Sequence, residues 1–480
     1  MKSKSSSAQA APLPDLHFQL TPAHCRVAWT LLGRETTLSR SLEQSTQLVQ
    51  WAWRLARLLP LIAFAPFAFA QDEAKRAAES PPTAPDDMAE GNLADAAARD
   101  WLDQAHLLEL PDAAALIVPS RLTAPPLGSC KPLSAEDDWV SSARKRSDGR
   151  YVVSRAGTEQ VLTLDPTLQD KLQQILQSYQ TPYGAVVAME PSTGRVLAMA
   201  EHSAQEPRLR GLTTRAVFPA ASIFKIVTAS ALLESGVQPD SPECFHGGKR
   251  RISEKLLIDS SRDQRCYSLT TALAMSANAV FAKLTFKHLS SDQLEAAAES
   301  FHFNRPLEFV VPTDTSLASI PSDPLGLASA GSGFGDVYLS PLHGAAIAAS
   351  IANQGRWCAP ILIDGEPPST SEAEQVVSEP IARQLADMLE ETITSGTARR
   401  TFRERGFRVQ GAVGKTGSLA DRNPYRDYSW FVGFAPKENP AVAVAAVIVN
   451  TARWRIRATW LGREAMRLYL EAKNSLANRP

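Results

Sequence analysis

Three short polar clusters in this 480-residue chain have the residue types and spacing for joint chemistry. The first is Ser222-Ile223-Phe224-Lys225. Residues at i and i+3 share a helix face, so one turn brings the serine hydroxyl to the lysine amine. A serine hydroxyl needs a nearby base to act as a nucleophile. A lysine held among apolar side chains loses the solvation of its charge, which lowers its pKa and lets it take that proton. Residues 226–233 are apolar on nearly every face, the pattern of a buried helix, with Ser222 at its mouth. The helix N-terminus adds N–H groups and positive dipole beside the reacting carbonyl. Alone, S-x-x-K is a weak signal, since an N-capping serine and a snorkelling lysine give the same pattern.

The second cluster is Ser276-Ala277-Asn278, with its serine 54 positions after Ser222. Apolar neighbours flank a short polar turn, so Ser276 can face a cleft and relay a proton between Lys225 and a leaving amine. Asn278 there would bind a substrate amide. S-x-N alone is commonly just a helix-terminal polar pair. The third cluster is Lys415-Thr416-Gly417-Ser418, 139 positions after Ser276. Residues 409–413 read as a strand leading into it, and the glycines leave a flat edge that a substrate backbone can approach. Lys415 supplies a point charge and Thr416 a hydroxyl for a carboxylate. The N–H of Ser418, with that of Ser222, can serve an oxyanion. The bland alternative is an edge strand whose lysine discourages pairing.

Positioning these clusters requires a particular set of elements. Residues 161–165 read as a short strand and 168–179 as an amphipathic helix. Residues 184–190 and 195–201 are apolar strands joined by a tight turn at 191–194, with Gly194 where a positive φ is easy. Strands follow at 429–434 and 441–450, and 459–476 closes the chain as a helix. The middle is long and mainly helical. The expected class is α+β: an antiparallel sheet assembled from both ends of the domain, flanked by helices, with an inserted all-helical subdomain.

The order S-x-x-K, S-x-N, K-T-G is the motif set of penicillin-binding proteins and class A β-lactamases. The chain resembles the transpeptidase domain of a monofunctional, class B-like penicillin-binding protein over residues 161–470. Residues 183–194 are similar to that family's opening hairpin, and 331–335 with 339–342 to the segment at the back of its cleft. Residues 395–398 are similar to a turn near the active site, and 428–436 to the strand paired with K-T-G. The resemblance implies acylation of Ser222 with Lys225 as its base. It implies Ser276 as proton relay, Asn278 as substrate binder, and Lys415 with Thr416, Gly417 and Ser418 as the carboxylate and oxyanion site. The implied partners are D-Ala-D-Ala stem peptides of peptidoglycan, β-lactam antibiotics and other cell-wall synthesis proteins. No metal or organic cofactor is implied. Residues 219–225 are also similar to class D β-lactamases, but those carry S-x-V where this chain has Ser276-Ala277-Asn278. No E-x-x-L-N, whose Glu activates the deacylating water in class A β-lactamases, follows the S-x-N motif. The alternatives are a D,D-carboxypeptidase, a slow class D-like β-lactamase, and a non-catalytic β-lactam sensor or scaffold.

The remainder of the chain sets context. Net charge is −1, which gives no reason to expect a nucleic-acid partner. Residues 58–70 form a 13-residue apolar run behind Arg54 and Arg57, ending in Ala68-Phe69-Ala70. That is short for a spanning helix and matches a signal-peptide core, so 49–70 reads as an export signal or anchor and the activity as extracytoplasmic. Residues 1–48 are a polar extension, consistent with a start site assigned too far upstream. Residues 71–150 are an Ala-, Pro- and acid-rich linker with one short helix, too short and too weakly periodic for a glycosyltransferase domain. The transpeptidase domain is expected over 151–475. Cys244 and Cys266, 22 positions apart in a polar stretch, can pair in an oxidising compartment. No C-x-x-C suggests zinc.

Overall fold

The computed structural model describes residues 133–134, 136–248, 251–366 and 374–477. The polar extension, the export signal and most of the linker lie outside them.

A five-stranded antiparallel sheet organises the domain. Its strands are β1 (Tyr183–Met189), β2 (Val196–His202), β3 (Val413–Arg422), β4 (Tyr425–Ala435) and β5 (Val442–Asn450), in the order β3-β4-β5-β1-β2. The two halves of the sheet are thus more than 200 residues apart in sequence, as the expected assembly from both ends required. The Gly194 turn between β1 and β2 has φ +76°, and a Cβ there would lie 2.0 Å from the Ala359 carbonyl. Glycine answers both constraints.

Alternation along the strands serves two cores. Val186, Ala188, Phe431, Val444, Ala446 and Ile448 pack on one face, beneath α1 (Pro166–Ser178) and the last helix, Ala458–Ala477. Helix α1 starts with Asp165 accepting from the Leu168 N–H and with Pro166 in its first turn. Two of its glutamines close the outer edge of β2. Gln169 exchanges hydrogen bonds with the Met199 N–H and C=O, and Gln173 with those of Glu201. An edge so occupied offers no free ladder.

The other face, through Val187, Val432, Phe434, Ala445 and Val447, packs against the inserted helices. In chain order these are α2 (Lys225–Glu234), α3 (Leu269–Ala274), α4 (Asn278–His288), α5 (Ser291–Ser300), α6 (Pro324–Gly331), α7 (Pro341–Ala352) and α8 (Glu379–Thr394). Helix α7 is buried almost throughout and lies along β1, β4 and β5. A ribbon of Pro242–Phe245 with Arg265–Ser268 covers α4, and Cys244 and Cys266 are disulfide-bonded across it. Beneath it Lys283, 1% exposed, is held by Glu243, Asp259 and Asp263.

Three expectations are corrected. Residues 409–412 are not strand: Gly411 turns with φ +62°, and β3 begins at Val413 and runs through the motif to Arg422. Residues 162–165 are not strand either. The strand is Thr158–Val161, paired with Tyr151–Arg155, and Asp165 caps α1. The folded unit also starts before Tyr151, because Arg144–Lys145 pairs with Tyr151–Val152 and Trp139 packs against the core. That first strand is two exposed basic residues, so it has no apolar pattern to read.

Candidate active site

Ser222 lies in a single 3₁₀ turn, Ala221–Ile223, just ahead of α2 rather than within it. Ala221 has φ +48°, so the turn is strained and must be held from outside. On one side the Trp430 indole N–H donates to the Pro219 carbonyl at 2.9 Å. On the other Gly333, with φ +85°, comes so close that a Cβ would lie 2.2 Å from the Ala221 carbonyl. The turn also packs beside β3, whose opposite edge pairs with β4.

Lys225 opens α2 and is 0% exposed. Its Nζ lies 2.9 Å from Ser222 Oγ, 2.7 Å from Asn278 Oδ1 and 2.5 Å from the Ser332 carbonyl. No carboxylate is among these partners. Burial first, and the charge of Lys415 second, push the amine well below its ordinary pKa. A neutral amine has two N–H donors and one lone pair. The two carbonyl oxygens take the two donors, so the lone pair is left for the hydroxyl proton of Ser222.

Lys415 is also 0% exposed. The register sets it opposite Val432, on the face that the inserted helices cover. Its Nζ meets Ser276 Oγ at 2.9 Å and the Thr416 carbonyl at 2.8 Å, and burial pushes its pKa down to about 7. Ser276 has φ +55° in the turn between α3 and α4, with Met275 exposed beside it. Thr416 Oγ1 lies 2.5 Å from Thr397 Oγ1. Gly417 lies against the nucleophile's turn, where a Cβ would be 3.2 Å from Ile223 and 3.4 Å from the Ala220 carbonyl. Ser418 is exposed on the same strand.

The structure therefore brings Ser222, Lys225, Ser276, Asn278, Lys415, Thr416 and Gly417 together in one site. Two details differ from the sequence expectation. Ser276 hydrogen-bonds Lys415 rather than Lys225, and Asn278 uses its side-chain oxygen to hold Lys225. The resemblance placed residues 331–335 and 395–398 near the site but assigned no role to Ser332, which contributes a backbone carbonyl that no side-chain pattern announces, or to the Thr397–Thr416 contact. Among the described residues no cluster of His, Cys, Asp and Glu can hold a metal.

The chain has relatives of known family. A family model described as the penicillin binding protein transpeptidase domain matches residues 184–461. The chain belongs to this family. A curated relative, the peptidoglycan D,D-transpeptidase PbpA of Mycolicibacterium smegmatis, is 28% identical over 58% of this chain and 63% of its own length, so this chain spans less than two thirds of it. The crystal structure of the D,D-transpeptidase domain of a peptidoglycan glycosyltransferase from Eggerthella lenta superposes with a TM-score of 0.54 at 26% identity. The match covers 69% of this chain and 95% of that one. Penicillin-binding protein A from M. tuberculosis, solved as an imipenem acyl-enzyme, shares the fold with a TM-score of 0.53 at 23% identity, over 64% of this chain and 79% of that one.

Proposed function

We propose that this protein is a serine D,D-transpeptidase that cross-links peptidoglycan through an acyl-enzyme on Ser222. The observation that carries the reading is Lys225: a buried amine within hydrogen-bond distance of two carbonyl oxygens and 2.9 Å from Ser222 Oγ. That arrangement is a base aimed at a nucleophile.

In this reading the D-Ala-D-Ala stem peptide lies along the free edge of β3, with its terminal carboxylate against Lys415 and Thr416. Lys225 takes the Ser222 proton as Oγ attacks the penultimate carbonyl, and the N–H groups of Ser222 and Ser418 bind the oxyanion. The proton held by Lys225 is then delivered, by way of Ser276, to the departing D-Ala amine, which leaves Lys225 neutral; Ser276 is held in place by Lys415. An acceptor amine from a second stem peptide then attacks the ester, Lys225 takes the proton of that amine, and the proton passes to Ser222 Oγ as the ester bond breaks. β-Lactams acylate the same serine but lose no leaving group from the site. The base of acylation in this superfamily is disputed, and the placement of Lys225 supports assigning it here. We place the activity outside the cytoplasm, with residues 49–70 as the export signal or membrane anchor and other wall-synthesis proteins as partners.

The reading is tested by incubating purified protein with a D-Ala-D-Ala peptide and an amine acceptor. It expects Ser222-dependent release of D-Ala and formation of the cross-linked product. Release of D-Ala with water alone as acceptor would make the protein a D,D-carboxypeptidase instead.

A further inference from the structure

Residues 395–398 form a turn whose backbone is fixed at every step. It continues from the C-terminus of α8, with the N–H groups of Ser395 and Gly396 on the Glu391 carbonyl and that of Ala398 on the Thr392 carbonyl. Gly396 sits so close to α3 that a Cβ would lie 2.3 Å from the Ala274 carbonyl. The Thr397 N–H donates to that same carbonyl at 3.1 Å, two residues before Ser276. The Thr397 hydroxyl, in turn, meets the Thr416 hydroxyl on β3 at 2.5 Å. One residue therefore ties the S-x-N turn, through its backbone, to the K-T-G strand, through its side chain.

The side-chain contact has a direction once a ligand is considered. A threonine hydroxyl carries one proton and accepts through its lone pairs. A substrate carboxylate offers only acceptors, so Thr416 must give it that proton. The Thr416 oxygen can then only accept from Thr397. Resting on the transpeptidase reading above, we propose that Thr397 is a positioning residue, which donates its hydroxyl proton to Thr416 and so turns the Thr416 proton toward the substrate's carboxylate. Chained donors polarise one another, which strengthens the terminal bond to the anion. Without the Thr397 hydroxyl, Thr416 loses both the orientation and the polarisation, while the backbone bond to Ala274 is unaffected.

The test measures second-order acylation of the full chain by benzylpenicillin and by its methyl ester, which has no carboxylate. Thr397→Val removes the hydroxyl while keeping the side-chain shape, Thr397→Ala checks it with a different cavity, and Thr397→Ser restores it. We expect Thr397→Val and Thr397→Ala to lower acylation by benzylpenicillin on the order of five- to tenfold, the effect of one net hydrogen bond. We expect Thr397→Ser to recover wild-type rates and the slower reaction of the ester to be unchanged in all three. Equal losses for the acid and the ester would overturn the proposal, because a merely structural role lowers both. So would no loss for the acid, or failure of Thr397→Ser to recover. Wild-type protein that forms no adduct would instead overturn the transpeptidase reading, and this inference with it.

Discussion

Lys415 offers a quantitative test of the electrostatics of the site. It is fully buried without a carboxylate partner, and burial lowers its pKa from 10.5 to about 7. In the unfolded chain the amine titrates near 10.4. Between these values the unfolded chain holds a proton that the folded protein lacks, so folding stability rises with pH across that window. The full slope is about 1.4 kcal/mol per pH unit for one group. From pH 7.5 to 9.5, Lys415 therefore contributes about 2–3 kcal/mol of pH-dependent stability. Lys415→Met removes this contribution. Lys225 is lowered first by its own burial, a cause that the variant keeps. Urea unfolding at the two pH values gives the free-energy difference between wild type and variant. That difference should shift by about 2–3 kcal/mol in favour of wild type at the higher pH. An unchanged difference would mean that Lys415 is charged in the folded protein, and the reasoning from burial would fail.

Other outcomes follow from the same contacts. A carboxylate ligand needs Lys415 protonated, so acylation by benzylpenicillin should decline as pH rises above about 7, while acylation by the methyl ester should not. Stopped-flow rates across pH 6–9 would show whether the two profiles separate. Gly333→Ala places a Cβ 2.2 Å from the Ala221 carbonyl at φ +85°, so the Ser222 turn must move. Acylation should fall by about 100-fold or more, by analogy with other roughly 1 Å misplacements, while the far-ultraviolet circular dichroism spectrum stays native. Replacing Cys244 and Cys266 together with serine opens a bridge of sequence separation 22, worth about 3 kcal/mol by loop entropy. The variant should lose that much in denaturant unfolding, whereas an unchanged midpoint would show that the ribbon is held by Lys283 and its acids alone.

The chemistry of the site was more legible in the sequence than its framework. An i, i+3 pair at the mouth of an apolar helix made the Ser222–Lys225 contact legible, although Trp430 and Gly333 hold the turn that carries Ser222. Burial of Lys415 was legible only through its strand, since alternation sends it to the same face as Val413 and Gly417. The start of that strand was misread because residues 409–413 have an apolar pattern, while a glycine at φ +62° breaks the ladder at Gly411. The contacts of Ser332 and Gly333 with Lys225 and Ala221 depend on backbone atoms more than 100 residues from the nucleophile. Side-chain pattern carries no trace of such contacts. The same holds for Ser276, whose type and turn were readable but whose partner, Lys415 rather than Lys225, is decided by how α3 and β3 close on each other. Arg144–Lys145 joins the fold by backbone pairing alone, so the boundary at Tyr151 fell short.

The most direct test of the central claim is the intact mass of the protein after incubation with benzylpenicillin, alongside Ser222→Ala. Acyl transfer through Ser222 predicts a one-to-one covalent adduct on the wild type that persists for the length of the experiment and is absent from Ser222→Ala. A transient adduct with hydrolysed penicillin accumulating would contradict it in favour of a β-lactamase. No adduct on folded wild-type protein would contradict it in favour of a scaffold that kept the motifs without the reaction.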